Sequence, residues 1–342
     1  MGSDAHPNSA KTALSGLTLD QGNFSGTSAH YSAQFEFGKG NVEDVISACC
    51  GWIKANTKGM RSVGVACYGS FESLSRVDRE KSLPSYGRLQ STSHGHRLGF
   101  KPLAKLFREG LTGADGRTPL VTVETDVAAA VAGEIYLRTF QANGARDKTL
   151  DDQVFAFVKV SLGIGAAFMR ASTSWQGRLH PEAGQIMVPR WTSGYDVIDE
   201  QEAEFVHAGA RNPGSIEALA SVGAINARCR PYTFNDLKQN PNHLMWQREA
   251  YYLAHMLWNL TCIVSPHAIV MGGRVMGVPG LIDRVRTAFS QIAGDASFPH
   301  YGELANPETY ITICANPQGA EIGKPGVIGA LCLAAMEAES LE

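Results

Sequence analysis

Short apolar strands alternate with helical segments along this chain, and that order constrains the fold more than any other feature. The first half begins with two strands around a turn at Gly22 and Asn23 (12–37), a helix (42–56) and a strand (62–69). A loop-rich stretch (72–96), a helix (102–111), a strand (119–125) and a helix of small residues from Val127 onward follow. Strands and helices in alternation are the signature of an α/β fold.

The pattern starts again in the second half of the chain, after a charged linker near 145–152. It consists of two strands bent at a pair of glycines (154–171), a long helix (244–264), a strand entering a glycine turn (267–273) and a C-terminal helix (326–338). Two halves of related pattern predict two lobes with a central cleft. We place a small lobe at 1–126 and a large lobe at 127–342.

Composition and charge exclude several classes of partner. The 342 residues, 44% of them hydrophobic, can bury a large core, whereas the net charge of −3 and the absence of long Lys/Arg blocks argue against nucleic-acid and membrane partners. Seven scattered cysteines without a CxxC pair indicate reduced thiols. The first thirty residues lack a signal-peptide pattern, and no apolar run reaches the roughly 20 residues of a membrane span, so we expect a cytoplasmic protein.

Eight phrases of the sequence carry a family resemblance. They are GVACYGSF, SYGRLQSTS, ETDVAAAVAGE, VSLGIGAA, GRLHPEAGQI, SIEALAS, IVMGGRVM and KPGVIGALCLA, which begin at 64, 85, 124, 160, 177, 215, 269 and 324. In this order and spacing they resemble the fructokinase branch of the ROK (repressor, open reading frame, kinase) family. The resemblance implies the actin-like ATPase fold of the hexokinase and Hsp70 type, and a hexose kinase that uses ATP with Mg²⁺.

Asp126 is the candidate catalytic base. Phosphoryl transfer to a sugar needs a carboxylate within reach of the accepting hydroxyl, and Asp126 stands between a strand and a helix, where it can face the cleft. The resemblance implies that Asp126 takes the hydroxyl proton, although the family's Asn two positions on is Ala128 here. The same position also suits a carboxylate that only caps the following helix.

Three further residues are candidate ligands of a sugar or polyol. Glu182 lies in a loop with His180 nearby, and Glu217 starts a helix of small residues. Carboxylates accept hydrogen bonds from vicinal hydroxyls, and both glutamates resemble the family's sugar ligands. A surface loop carboxylate and a helix-dipole partner are the alternatives. Gln185 is a fourth candidate for substrate binding.

The family's structural zinc site is missing its ligands in this chain. The corresponding positions hold Gln185, Gly209, Asn212 and Ser215, and His207 nearby has no thiolate neighbour. None of these is an ordinary zinc ligand set. We therefore predict no structural zinc and expect packing or hydrogen bonds to hold the loop.

The nucleotide side departs further from the family pattern. Of its first phosphate loop only Lys11 remains, unless Asp20 to Asn23 take that place. Its second loop becomes Ser161, Leu162, Gly163, Ile164 and Gly165, and at its adenosine turn Arg274 follows the pair Gly272 and Gly273, with Gly326 opening the last helix. These residues either cradle phosphates through backbone N–H groups or merely form tight turns.

Three functions stay open from the sequence. The first is an ATP-dependent kinase of a fructose-like hexose, with Asp126 as base. The second is an ATP-independent enzyme that uses Asp126, His180 and Glu182 for acid–base chemistry on a small metabolite. The third is a non-catalytic pseudokinase or sugar sensor, without DNA binding because no helix-turn-helix precedes Gly64. The apolar face of the helix at 244–264 could support a homodimer or belong to the core.

Overall fold

The structure is a computed structural model with an α/β fold. It describes residues 9–16, 19–20, 23–24, 28–36, 41–57, 60–67, 70–90, 99–140, 148–170, 173–177, 180–191, 212–295, 306–314 and 325–339. The chain divides into two compact units, Met1–Lys148 with Ala320–Glu342, and Thr149–Gly319. This division differs from the predicted lobes at 1–126 and 127–342. The helix after Thr125 and the C-terminal helix both pack with the strands Ser62–Cys67 and Leu120–Thr125, so they belong to the first unit.

The first unit contains six strands and five helices among its described residues. They are β1 Ser9–Gly16, β2 Leu19–Asp20, β3 Asn23–Phe24, β4 Ser28–Glu36, α1 Val42–Asn56, β5 Ser62–Cys67, α2 Arg76–Glu80, α3 Leu103–Leu111, β6 Leu120–Thr125, α4 Asp126–Phe140 and, from the chain end, α11 Pro325–Glu339. Strands β1 and β4 pair antiparallel, and β5 and β6 pair parallel. The parallel pair leads directly into α4.

Helix α11 returns to this unit because small residues let it approach α4 closely. A Cβ on Gly329 would lie 1.5 Å from the Ala129 carbonyl oxygen and 2.8 Å from the Gly133 nitrogen. Only glycine allows two helix backbones to meet in this way. Besides this helix contact, the unit has a hydrophobic core that includes residues of α1, α3 and β6, such as Ile46 and Val123.

The second unit is built on one five-stranded sheet. Its elements are β7 Val154–Val160, β8 Ile164–Arg170, β9 Thr173–Ser174, α5 Ile216–Ala220, α6 Val222–Arg228, α7 Phe234–Lys238, α8 Met245–Val264, β10 Ala268–Gly272, α9 Leu281–Asp295, α10 Pro307–Tyr310 and β11 Ile311–Ile313. The strand order is β11-β10-β7-β8-β9. Strand β10 is parallel to β7 and β11, whereas β7 and β8 form an antiparallel hairpin.

Most of the sequence-predicted helices and strands are confirmed within a residue or two. The short helix α2 was missed, since it lies in a stretch rich in loop-forming residues. The sequence-based predictions also did not include α6, α7, α9, α10 and β11. All seven cysteines are free thiols in the structure. Within the described parts of the chain, no helix is both long and apolar enough to cross a membrane.

Helix α8 supplies much of the core of the second unit. Trp246, Leu253 and Leu257 are fully buried and pack with residues from β7, β10 and α9. The apolar stripe predicted from the sequence is therefore mainly core packing. Homodimer formation stays a prediction.

One buried carboxylate interrupts this core. Glu249 on α8 is 0% exposed, and neither of its carboxylate oxygens has a hydrogen-bond partner among the described residues. Burial raises the pKa of Glu249 well above its usual range, although attraction to Arg228 opposes that rise. A charged carboxylate is costly to bury, so the neutral form is favoured in the folded state.

We expect stability to become less pH-dependent in Glu249→Gln. A carboxyl group whose pKa is raised on folding favours the folded state at low pH, and this contribution is lost as pH rises above the unfolded pKa of about 4.3 towards the folded value. Denaturant unfolding across this range should show the free energy of unfolding of Glu249→Gln exceeding that of the parent by about 1–3 kcal/mol at the alkaline end. Glu308→Gln, at an exposed position, is the control. Equal pH dependence in parent and Glu249→Gln would contradict the assignment.

Candidate active site

The carboxyl ends of two neighbouring parallel strands define the candidate site of the second unit. Strand β7 ends at Val160 and β10 ends at Gly272, side by side in the sheet. In open α/β sheets, ligands bind outside these strand ends. Two of the predicted nucleotide-binding turns therefore lie at the same edge of one sheet.

Packing alone explains the glycine pair at the end of β10. A Cβ on Gly272 would lie 2.6 Å from the Phe157 ring, and one on Gly273 would lie 2.3 Å from the Val160 carbonyl oxygen. Gly273 also has a φ of +96°, which L side chains rarely adopt. The tight turn thus accounts for both glycines, and their nucleotide role stays a prediction.

The turn between β7 and β8 is held by backbone hydrogen bonds. The Ser161 N–H donates to the Gly163 carbonyl at 2.9 Å, and the Val222 N–H at the start of α6 donates to the Ser161 carbonyl at 2.8 Å. Gly165 lies within the hairpin, opposite Lys159. At the tip, the Leu162 residue is 44% exposed. An apolar side chain thus stands in the open at the predicted phosphate loop.

The Glu217 carboxylate is anchored against this turn. Its Oε2 accepts the Ile164 N–H at 2.9 Å, and a Cβ on Gly163 would lie only 2.6 Å from that oxygen. A Cβ on Gly184 would lie 3.3 Å from the same oxygen and 2.2 Å from the Ile164 carbonyl oxygen. Two glycines therefore make the space that the carboxylate occupies. Ser215 positions α5 by accepting the Ala218 N–H at 3.3 Å as its N-cap.

The segment at 180–191 pairs with the start of α5. The Ile216 N–H donates to the Ile186 carbonyl at 2.8 Å, and Met187 bridges to Ser215. This segment carries His180 and Glu182, whose Nε2 and Oε1 atoms are 3.1 Å apart. The structure thus brings the two segments that carry the predicted sugar ligands next to one another.

Gln185 has an unsatisfied polar atom in this region. It ends a single 3₁₀ turn, Ala183–Gln185, directly after Glu182. Its side-chain Oε1 is enclosed and has no hydrogen-bond partner among the described residues. A buried carbonyl oxygen without a partner is costly, so this atom is a candidate acceptor for a ligand hydroxyl.

Hydrogen bonds hold the described part of the loop that carries zinc in the family. Ser215 is buried and uses its hydroxyl as the α5 cap, and its N–H donates to the Asn212 carbonyl at 3.1 Å. Gly209 and His207 lie outside the described residues. Among the residues that are described, no group of three or more His, Cys, Asp or Glu side chains is placed to hold a metal. The absence of zinc stays a prediction.

In the first unit, Asp126 is the first residue of α4, and its neighbour Thr125 caps the helix. The Thr125 hydroxyl accepts the Ala128 N–H at 3.1 Å, which is the N-cap hydrogen bond. The capping role considered for Asp126 therefore belongs to Thr125, and the sequence contained this signal, since Thr is itself a favoured N-cap residue. Gly326, in the first turn of α11, lies close to the start of α4, because a Cβ on it would be 3.6 Å from the Asp126 carbonyl oxygen.

Lys11 lies within strand β1, opposite Gln34, and not in a turn. Asp20 and Asn23, the first and last residues of the alternative phosphate loop, are paired in register in β2 and β3. His6 to Asn8, Gln21 and Gly22 lie outside the described residues. The position of the first phosphate loop and the nucleotide role of Lys11 both stay predictions.

Arg274 replaces the last glycine of the predicted adenosine turn. It is exposed, and its guanidinium lies over the Phe234 ring, 5.8 Å from the ring centroid. Such a stack orients the cation without neutralising it. No local pattern in the sequence indicates this contact, because Phe234 is forty residues away.

Comparisons with known proteins agree with this architecture. Residues 117–334 match the model of the ROK family. The fructokinase of Streptococcus mutans serotype c is 25% identical over 293 residues, which cover 85% of each chain. The ROK hexokinase from Thermus thermophilus superposes with a TM-score of 0.63 at 17% identity, over 90% of this chain and 91% of that chain.

A second solved structure has the same fold. The ROK family glucokinase from Streptomyces griseus, in complex with glucose and AMPPNP, superposes with a TM-score of 0.57 at 16% identity, over 90% of this chain and 93% of that chain. The family match spans more than half of the chain. This chain therefore belongs to the ROK family, has its actin-like ATPase fold, and is similar in sequence to its fructokinases.

Proposed function

We propose that the chain is an ATP-dependent hexose kinase with a fructose-like substrate. The observation that carries the proposal is the Glu217 carboxylate, which two glycines and the Ile164 N–H hold at the carboxyl edge of the sheet. A fixed carboxylate at this edge suits a polyol, because it accepts hydrogen bonds from hydroxyl groups. The preference for fructose rests on the similarity to fructokinase.

The sugar would be bound by residues of the second unit. Glu217 accepts from one hydroxyl, while Glu182, kept in place by His180, accepts from another. The buried Gln185 Oε1 would gain the hydrogen bond that it lacks among the described residues. Three acceptors of this kind would select a ligand rich in hydroxyl groups.

Asp126 is the proposed base. The proton of the accepting hydroxyl would move to its carboxylate as the sugar oxygen bonds to the γ-phosphorus, and the bond to ADP breaks. Thr125 supplies the N-cap hydrogen bond of α4, so the next residue, Asp126, is not needed for that hydrogen bond. ATP would enter as its Mg²⁺ complex and leave as ADP.

The nucleotide side also supports a second candidate, an enzyme or sensor that does not use ATP. Leu162 at the turn tip is apolar and exposed, and Arg274 occupies the predicted adenosine turn. A leucine offers no donor to a phosphate, and each charge-assisted hydrogen bond is worth about 1.5–3 kcal/mol. A protein that does not use ATP would not need a phosphate donor at the tip of this turn.

Asp126→Asn should abolish most phosphoryl transfer and leave hexose affinity unchanged. Loss of a general base typically lowers kcat by about 10²–10⁴-fold, whereas the amide still fits the same space. Steady-state assays with ATP and fructose give kcat, and calorimetry gives the sugar Kd. Asp44→Asn, an exposed aspartate in the first turn of α1, is the control. A variant that turns over as fast as the parent would remove Asp126 from the base role.

Leu162→Thr should improve the use of ATP. Threonine adds a hydroxyl donor at the tip of the turn, and one hydrogen bond to a charged phosphate corresponds to about a tenfold gain in kcat/KM for ATP. Leu162→Val is the matched control, because valine has the same branched shape without the hydroxyl. Equal kinetics for the Thr and Val substitutions would show that no phosphate group comes near this position.

A further inference from the structure

An arginine on α6 contacts the helix that carries Glu217. Arg228 lies in the last turn of α6, and its Nη2 donates to the carbonyl oxygen of Leu219 in α5. Leu219 stands two residues after Glu217 in this five-residue helix. The position of the guanidinium therefore helps to fix the position of α5.

The same guanidinium also packs against a residue that holds the other site segment. Arg228 lies over the Tyr252 ring, 5.7 Å from its centroid. Tyr252 is fully buried on α8, and its hydroxyl oxygen accepts a hydrogen bond from the backbone N–H of Trp191 at 3.2 Å. Trp191 ends the described segment that carries His180 and Glu182.

A buried carboxyl group on α8 is near the arginine. Glu249 lies on α8 one turn before Tyr252, fully buried, and its carboxyl group interacts electrostatically with Arg228. Helix α8 packs against α5 as well. The guanidinium of Arg228 thus contacts both α5, through the Leu219 carbonyl, and α8, through the Tyr252 ring.

We propose that Arg228 and Tyr252 are positioning residues for sugar recognition, which set the Glu217 helix and the His180–Glu182 segment against the same long helix. The proposal rests on the proposed function, since it assigns these residues to the sugar side of that site. Binding residues must be held closely in their productive geometry by the groups that support them. Neither positioning residue is assigned a contact with substrate.

The test is a kinetic comparison of conservative variants. Tyr252→Phe keeps the ring and removes the acceptor of the Trp191 N–H, and Arg228→Lys keeps the charge and removes the planar guanidinium. Each should raise the KM for fructose about tenfold, the equivalent of one lost hydrogen bond to a charged group, while kcat and the KM for ATP stay within about twofold.

Two neighbouring residues provide matched controls. Tyr251 packs its ring edge-on against Trp191, but the Trp191 N–H donates to the Tyr252 hydroxyl and not to that of Tyr251. Tyr251→Phe therefore keeps the ring contact and should match the parent in both KM values. Arg230→Lys changes an exposed arginine in the same way as Arg228→Lys and should also match the parent.

A merely structural role predicts a different pattern. It would lower the thermal midpoint and the active fraction, so that kcat falls and the KM for fructose does not change. That pattern, or unchanged kinetics in both variants, would overturn the proposal.

Hydrogen exchange of the sugar-free protein separates this proposal from the proposed function. Tyr252→Phe should speed exchange of the Trp191 amide, and Arg228→Lys should speed exchange of the α5 amides, with global unfolding unchanged in each. If the parent phosphorylates no hexose, the proposed function fails, and this exchange decides the positioning role alone. Unchanged exchange at both places would overturn it.

Discussion

The candidate site depends on one hydrogen bond between a carboxylate and a backbone amide. The Ile164 N–H holds the Glu217 carboxylate, and the absence of side chains at Gly163 and Gly184 makes room for it. A methyl group at either glycine would displace a carboxylate oxygen or a carbonyl. One side chain thus connects the β7–β8 turn, the segment at 180–191 and α5, which carry the predicted sugar ligands.

The nucleotide side is built on the same sheet edge but is chemically different. Val160 and Gly273 meet there at a distance that only glycine permits, which preserves the turns on which an actin-like fold receives phosphates. Leu162 and Arg274 stand at those turns. The Leu162 side chain has no hydrogen-bond donor, and the Arg274 side chain carries a permanent charge. The backbone turns at this edge are thus kept by packing, while Leu162 and Arg274 stand where the family resemblance predicts contacts with the nucleotide.

The sequence predicted what local pattern controls and missed what distant contacts control. Alternating strands and helices predicted most elements, and the family resemblance singled out Glu182 and Glu217, whose segments pair in the structure. The return of α11 to the first unit depends on a contact between Gly329 and Ala129, about two hundred residues apart, which no local pattern reveals. The Thr125 cap was predictable in part, because Thr and Asp are both favoured N-cap residues and the sequence does not show which of Thr125 and Asp126 caps the helix.

The central claim is that the protein binds ATP and a hexose together. Isothermal titration with a non-hydrolysable ATP analogue and Mg²⁺, with and without fructose, measures this directly. We expect a Kd in the micromolar range that falls further when fructose is present, because a kinase closes over both substrates. Fructose binding with no detectable nucleotide binding at millimolar concentration would contradict the claim and favour a sugar-binding protein that does not use ATP.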